Sequence, residues 1–435
     1  MPNINISETE SSSLVAFDIT ENTVLVPILY ARTYEETESS ESDATVITYT
    51  DADAVSTLFT RADLFRNFMS GHTVTVDSVI DKSYIMAYEL LLQGLNVIIK
   101  PIFYDNATLG NSLDSDSAYA IIENALTEGA FDEFKNRNLY NIKFITTGGY
   151  SNCGKDYVVD NDGTEEEKTT SMYTIIRELA EARGDAIALV EFNDYYEDEE
   201  ELFESIQEDY TPNSNDIYAA AFFPWFTFST SATGSQSTVL MPASFGYLMA
   251  YAYSVKFNAN WFAAAGTVRG YIPGLIKPAF NVGEALMHTL QGDDEAGEQL
   301  NITVNPIYNA GTYGYRVWGN RVVNRATVTA DRFMNFLNVR VLLCDIKKQI
   351  YHAAIRCTFE PNDDIVWINF KTLASSLLDK MKSGRGIAWY KWTKEVADTK
   401  ATIKATLTIR PIEAVESFDI HLVLTDEEVT IEDVI

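Results

Sequence analysis

Several residue types are scarce in this 435-residue chain, and each scarcity narrows what it does. Cysteine occurs only at Cys153, Cys344 and Cys357. An odd, sparse set excludes a disulfide framework and fits a reducing cytoplasm. Cys344, His352 and Cys357 are near neighbours, but a structural zinc site takes four ligands in close-spaced pairs and no fourth candidate is adjacent, so the cysteines read as buried core thiols. The four histidines, His72, His288, His352 and His421, are scattered, and none pairs with a nucleophile in a recognisable motif. Long apolar runs are missing too. The best stretch, Leu90 to Ile102, is interrupted by Gln93, Gly94, Asn96 and Lys100, short of the roughly 18 apolar residues a membrane span needs. The opening MPNINISETESSS lacks the basic and apolar regions of a signal peptide. The expectation is a protein with no membrane insertion.

Basic residues are scarce overall but not uniformly so. The net charge is −31, from 32 lysines and arginines against 63 aspartates and glutamates. Residues 1–315 carry 15 basic and 47 acidic side chains, a net of −32. Residues 316–410 carry 17 and 8, a net of +9, while residues 411–435 carry none and 8, a net of −8. A basic module framed by acidic segments points to self-contact as well as solubility. Direct nucleic-acid binding fits poorly, because the acidic remainder repels a phosphate backbone.

The length and the plentiful apolar and aromatic residues predict two or three folded domains. Leu14–Ile19, Val24–Tyr30 and Val46–Thr50 read as strands, with a solvated loop at 35–43 and a helix start at Asp51. From about 45 to 280 strand and helix alternate. Ser83–Leu92, Ser117–Phe134 and Ser171–Arg183 have helical spacing, the last with Gly184 just past its end. Asn96–Phe103, Ile142–Thr146, Ala186–Phe192 and Tyr218–Phe226 are near-continuous apolar strands, as in a sheet covered on both faces. The acidic insertions 159–167 and Asp194–Glu204 read as solvated loops or helix starts. Beyond the charge switch near 315–330, the pattern predicts a helix from Asp331 to about Ala354 and a second at Phe370–Met381. Three period-two strands follow, Ile387–Thr393, Thr402–Ile409 and Phe418–Leu424. The expected class is multidomain α/β and α+β: an α/β domain (outer, by the family resemblance described below), then a C-terminal α+β domain of two helices against a small sheet, with extended terminal arms. The divisions are an arm at 1–22, an acidic α/β domain at 23–315 with a sub-domain at about 45–145 as an option, a basic domain at 316–424 and an acidic arm at 425–435.

One stretch has the spacing of a phosphate-binding loop. Gly149-Tyr-Ser-Asn-Cys-Gly154-Lys155 follows a strand, but Asp156 stands where a magnesium-binding Ser or Thr belongs, and Tyr157 onward does not read as a helix. Gly384-Arg385-Gly386 is too short for a dinucleotide fingerprint. No catalytic, cofactor-binding or metal-ligating residue is assigned, and the reading is of a protein that is not an enzyme.

Several segments, in order, resemble the tail sheath family of contractile bacteriophages and related injection systems. They are AYELLLQGLNVIIKPI from Ala87, ELAEARGDAIALVEF at 178–192, Tyr218-Ala-Ala-Ala-Phe-Phe-Pro-Trp-Phe, and Val239-Leu-Met-Pro-Ala-Ser with Ala250-Tyr-Ala following. The C-terminal part adds Tyr315-Arg-Val-Trp-Gly-Asn, Leu337-Asn-Val-Arg, Phe359-Glu-Pro-Asn-Asp and Ile409-Arg-Pro-Ile-Glu. The resemblance spans about 85–425, and the order and spacing of the segments carry it. Val341 stands where the family has a second Arg. Trp225, Trp318 and Trp389 are expected as core or domain-joint aromatics, and Arg340 as an ion-pair or contact residue.

The resemblance implies a structural subunit, without cofactors, of a contractile tail in a virion assembled in the host bacterial cytoplasm. It would polymerise as six-fold rings stacked helically around a tail tube, with the C-terminal domain innermost. Tail tube, baseplate and tail-terminator proteins would be its partners, and contraction would drive the tube through the host envelope for genome delivery. The alternatives are another virion building block, of tail tube or capsid type, and a nucleotide-binding enzyme working through the Gly149 loop.

Overall fold

The computed structural model describes residues 21–32, 56–69, 74, 79–105, 115–151, 157–159, 165–167, 171–209, 216–292, 300, 302–324, 335–396, 402–412, 414, 421–424 and 429–432. The expected strands at Leu14–Ile19 and Val46–Thr50, the start at Asp51, and the residues His72 and Cys153 lie outside them.

Strand β1 (Thr23–Arg32) is Val/Ile/Leu-rich, and its side chains divide by parity between two cores. Val24, Val26 and Ile28 join one cluster, and Leu25 and Leu29 the other. The same division holds along β3 (Asn96–Asp105), β7 (Ile187–Glu191) and β8 (Ala219–Phe223). With β2 (Thr57–Phe59), β4 (Phe144–Thr146), β12 (Val304–Asn309) and β13 (Tyr315–Val317) they form an eight-stranded sheet, ordered β13-β12-β8-β7-β4-β1-β3-β2. Neighbours from β12 to β3 run parallel, and β13 and β2 close the edges antiparallel. Both faces are covered, which is why the strands read as unbroken apolar runs.

Helices α1 (Ala62–Phe68), α2 (Val79–Leu92) and α6 (Ala243–Val255) cover one face. On the other lie α3 (Ser115–Thr127), α4 (Met172–Arg183) and α8 (Glu284–Gln291). Ser171 Oγ accepts from Thr174 N to cap α4, and Gly184 at φ 62° ends it in the left-handed conformation, as expected. The helix expected over Ser117–Phe134 is shorter. It stops at Thr127, and a separate 3₁₀ turn holds Asp132–Lys135. Gly129, at φ 75°, breaks the run. The strand expected over Tyr218–Phe226 also divides. β8 ends at the cis peptide Phe223–Pro224, and β9 (Phe226–Thr230) joins β10 (Ser237–Met241) and β11 (Leu275–Pro278) in a separate three-stranded sheet. The insertion after Ser151 holds the short hairpin β5 (Tyr157–Val159) and β6 (Glu165–Glu167). The second insertion starts α5 (Glu199–Asp209), and α7 (Gly266–Arg269) is a single turn.

The last unit pairs α9 (Leu337–Cys357) and α10 (Asp364–Ser383) with the hairpin of β14 (Ile387–Glu395) and β15 (Lys404–Pro411). α9 begins at Leu337, with Phe336 as its N-cap residue, later than the Asp331 start expected from spacing. Asp331 itself is outside the described residues. α10 begins six residues before the expected Phe370, because Asp363 Oδ1 accepts from both Ile365 N and Val366 N at 3.0 Å. The third expected strand does not join this sheet. Instead β16 (His421–Leu424) pairs antiparallel with β17 (Val429–Glu432), which lies within the segment 425–435 expected as the acidic C-terminal arm. The change of charge sign at 316 also does not coincide with a change of packing. Val317, Val322 and Val323 are buried in the two large cores, and Leu337, Val341 and Cys344 of α9 join the first of them.

Candidate assembly surface and domain joint

α9 belongs to two cores at once. Leu337, Val341 and Cys344 face the large domain, whereas Leu342 and Ile346 pack against Leu377, Leu378, Met381 and Ile387 of the terminal unit. Val341 therefore fills a core position, where a charge would be costly. The polar residues between these two stripes strap the helix to the N-terminal edge of the parallel sheet. Arg340 Nε donates to Ile217 O at 3.1 Å and its guanidinium lies 5.1 Å from the Tyr218 ring centre. Lys347 Nζ donates to Gly184 O at 2.9 Å, and Lys348 Nζ to Ile142 O at 2.7 Å. Those three carbonyls lie in the connections entering β8, β7 and β4, so one helix ties down the entry points of three neighbouring strands. Arg340 is the contact residue expected of it, directed at a backbone carbonyl and an aromatic ring.

A buried ion pair completes the strap. Asp345 on α9 meets Lys143 Nζ at 3.0 Å, and both side chains are buried. Lys143 also donates to Asn22 Oδ1 at 2.9 Å, and Asn260 Nδ2 donates to Asp345 Oδ2 at 2.9 Å. Burial pushes the Lys348 ammonium down to about 8, against the pull of Asp345 and Asp185 and with the push of Lys143. The unfolded chain therefore holds this proton more tightly than the folded one between about pH 8 and the ordinary lysine value. Over that window the Lys348 contribution to stability rises with pH, and below it the full cost of burying the charge is present. Lys348→Met removes that burial cost together with the hydrogen bond to Ile142 O, so its stability relative to the wild type is expected to fall by roughly 1–3 kcal/mol as pH rises from 8 towards 10. Denaturant unfolding of both proteins across that range measures it. A difference independent of pH would contradict the assignment.

Trp261 forms the second half of the joint. Its Nε1 donates to Gly384 O at 3.0 Å, and a Cβ on Gly384 or Gly386 would come within 2.6 or 2.8 Å of its ring. The Gly384-Arg-Gly386 stretch thus serves as a seat for an indole, with no nucleotide role required. Neither Trp261 nor its fit to these glycines is evident from sequence, since they are over 120 positions apart. Of the tryptophans singled out, Trp225 is buried, with Nε1 donating to Phe192 O at 2.7 Å, and Trp318 is half-buried against Tyr308. Trp389 is 41% exposed, against expectation. It lies on the outward side of β14, whereas Tyr390 and Trp392 point inward onto α10.

The outward side of the β14–β15 hairpin is wholly polar apart from Trp389, with Lys391, Lys404 and Arg410 exposed on it. Among the described residues the hairpin is a sheet of two strands, so each strand has an edge without a neighbour. At the far end of the α9–α10 pair an apolar surface is exposed. Phe359, at φ 70°, is 93% accessible, with Ile355, Ile365 and Ile368 also exposed. A groove of about 620 Å³ runs between the two helix ends, lined by Cys357, Pro361, Val366 and Leu373 among others. Exposed edges, exposed apolar side chains and a basic face together make this unit the candidate interaction surface.

The Gly149 loop sits where an α/β sheet commonly binds ligands, at the switch point between β1 and β4. Here the chain itself fills the crevice. Tyr150 is fully buried with its hydroxyl 2.9 Å from Ser83 Oγ, and a Cβ on Gly148 would lie 2.8 Å from Pro27 O. The next described element is strand β5, where a phosphate-binding loop would be followed by a helix; Gly154 and Lys155 lie outside the described residues. Cys344, His352 and Cys357 do not converge. They are strung along α9, with about 12 Å of helix rise between the first two, and burial pushes the Cys344 thiol up to about 11. Among the described residues no three His, Cys, Asp or Glu side chains cluster as a metal site would require, and no helix is long and apolar enough to cross a membrane.

The whole arrangement corresponds to a known architecture. A subunit of the contracted-state sheath complex of an extracellular contractile injection system, PVC, superposes with a TM-score of 0.57, covering 98% of each chain at 15% identity. The chain has the fold of a contractile-sheath protein. A chain in the six-fold symmetrised baseplate of the anti-feeding prophage matches similarly, with a TM-score of 0.55 over 98% of this chain and 99% of that one at 14% identity. The tail sheath protein of Vibrio phage KVP40 is 22% identical over 190 residues, 42% of this chain. The match spans about a quarter (26%) of that relative's length. No family model matches the chain. Within the sheath fold, the doubly wound sheet and the α9–α10–hairpin unit are the two bodies, and α9 with Trp261 is what fastens them together.

Proposed function

We propose that this protein is the structural subunit of a contractile sheath, polymerising as stacked six-fold rings around an inner tube and shortening to drive that tube forward. The correspondence with a sheath subunit across 98% of both chains is the observation that carries the reading. The terminal unit supplies the means. A two-stranded sheet with uncovered edges accepts a further strand through main-chain hydrogen bonds, and a segment of a neighbouring copy is the proposed donor. Charge favours that exchange, since residues 316–410 are net basic while 1–315 and 411–435 are net acidic. Strand ties of this kind hold subunits together while rigid bodies rotate, the type of rearrangement contraction requires. The tube, baseplate and tail-terminator partners, and a place in an injection apparatus of virion type, belong to the same proposal. So do a division into an α/β domain that runs on past 316 and a terminal unit of α9, α10 and the β14–β15 hairpin, and the absence of catalytic, cofactor and metal sites.

Electron microscopy of the purified full chain is the direct test. Hollow cylinders of stacked six-fold rings are expected, and a persistent monomer across salt and pH would count against the reading. Rate is a finer measure. Lys382→Glu, Lys391→Glu and Arg410→Glu together reverse the exposed charge beside the hairpin without touching its core. Assembly of this variant, followed by light scattering at low salt, is expected to slow by roughly tenfold or more, and the deficit should close at high salt as charges are screened. An unchanged rate at low salt would remove the steering role from this face.

A further inference from the structure

Acidic residues are absent from long stretches of an otherwise acidic chain. There is no Asp or Glu between Asp216 and Glu284, or between Glu298 and Asp331. These stretches meet beyond the end of α6. There Tyr253 packs edge-on against Phe257 at 5.5 Å and against Tyr271 at 5.1 Å, and the Arg316 guanidinium lies 4.7 Å from the Tyr271 ring centre. Phe257 is 74% exposed and Val268 75%, next to the exposed Lys256. The result is an apolar, aromatic patch bordered by cations.

The opposite chemistry appears elsewhere on the same domain. The segment after β7 runs Asp194-Tyr-Tyr-Glu-Asp-Glu-Glu-Glu, with no basic residue as far as Asp209. Tyr196 is buried, its hydroxyl accepting from Asn193 N at 3.0 Å and paired with Ser205 at 3.1 Å, and this holds the turn in shape. Tyr195 points outward, 73% exposed, among exposed carboxylates.

The Tyr195 turn and the Lys256–Phe257 corner of the patch lie at opposite ends of the parallel strands, while Arg316, opposite Tyr308, borders the patch from the C-terminal end of β12. The Tyr195 turn follows the C-terminal end of β7. Lys256 donates to Gln93 Oε1 at 2.7 Å, just before the N-terminal end of β3, which runs parallel to β7 through β1 and β4. One molecule therefore presents an acidic knob after the C-terminal end of β7 and, at Lys256 and Phe257, a basic aromatic corner by the N-terminal end of β3. We propose that the Tyr195 turn of one copy docks on the Phe257 patch of the next, a head-to-tail contact between α/β domains separate from the exchange of strands at the terminal unit. Contacts of this kind join unlike faces, so they propagate without closing into a dimer. Tyrosine set against aromatic rings, with carboxylates facing cations at the rim, is the composition of an energetic contact centre. The inference rests on the polymer reading above and names one of its interfaces.

Charge exchange between two full-length variants tests it. One carries Lys256→Glu and Phe257→Glu, making both surfaces acidic. The other carries Glu197→Lys, Glu199→Lys and Glu200→Lys, making both basic. All five positions are exposed, so both chains are expected to fold, as circular dichroism would verify. Each alone is expected to lose at least tenfold of its sedimentable polymer, and a 1:1 mixture to recover it as an alternating copolymer. If the wild type polymerises and each variant polymerises equally well alone, the contact is wrong and the polymer reading stands. Loss in both variants without recovery on mixing also overturns the contact, since it would mean that the surfaces face some other partner. A wild type that never assembles overturns both.

Discussion

Asp345→Ala is expected to destabilise the protein by about 3–5 kcal/mol, the loss that follows when one member of a buried ion pair is removed and the other stays. The lysine left behind is Lys143, whose side chain is fully buried. Its remaining neighbour, Asn22 Oδ1 at 2.9 Å, offers a dipole in place of a charge. Asn260 would also lose its acceptor. The sequence distance between Lys143 and Asp345 makes the effect global, because the pair joins α9 to the entry of β4. Asp345→Asn, which keeps a carbonyl for Asn260 but loses the charge, should cost less than the alanine variant. Lys143→Met combined with Asp345→Leu should recover much of the loss, since an apolar pair of similar volume carries no desolvation cost. Urea unfolding of the wild type and the three variants reads these differences. An alanine variant as stable as the wild type, or a double variant as unstable as Asp345→Ala, would show that the pair does not act as a unit.

Trp261→Ala is expected to loosen the terminal unit selectively. Truncating a large packed aromatic costs about 3 kcal/mol, and here the cavity opens where Gly384 and Gly386 close on the ring. The indole N–H bond to Gly384 O disappears with it. Hydrogen exchange should therefore show lost protection in α10 and the β14–β15 hairpin, while β1, β4, β7 and β8 exchange as before. Gly386→Ala should act in the same direction, because its Cβ would lie 2.9 Å from Leu342 Cδ1 as well as against Trp261. Uniform loss of protection across both bodies would instead make Trp261 a general core residue. In a sheath, a loosened joint would leave rings able to form but domains free to pivot, so polymers of this variant are expected to be irregular.

Much of the α/β domain was legible because its strands are buried on both faces. Runs such as Ile187–Glu191 and Ala219–Phe223 have few polar residues, and Ser171 and Gly184 mark the ends of α4 by local chemistry alone. The resemblance to sheath proteins was carried by short segments whose positions now have reasons. Gly319 of the Val-Trp-Gly segment leaves no room for a Cβ, which would meet Asn305 Oδ1 at 2.5 Å, and Asp363 of the Phe-Glu-Pro-Asn-Asp segment caps α10. Where spacing misled, a local device had intervened: Gly129 ended one helix, and Asp363 started another early. The terminal sheet misled for a different reason. Phe418–Leu424 has the alternation of a strand, but alternation does not say which strand is its neighbour.

The sequence by itself determined the class of the protein, the central strands and several helices of its α/β domain, and its uneven charge. Those properties depend on periodicity, capping and composition, which are local. The joint was decided only by tertiary structure. Lys143 finds Asp345, Trp261 finds Gly384 and Gly386, and three cations of α9 find carbonyls before three different strands, across 100 residues or more in every case. The opposed placement of Tyr195 and Phe257 was decided in the same way, because which edge of a sheet a loop occupies depends on strand direction. Local sequence sets the periodicity of a strand, and only the packed sheet sets its direction relative to its neighbours.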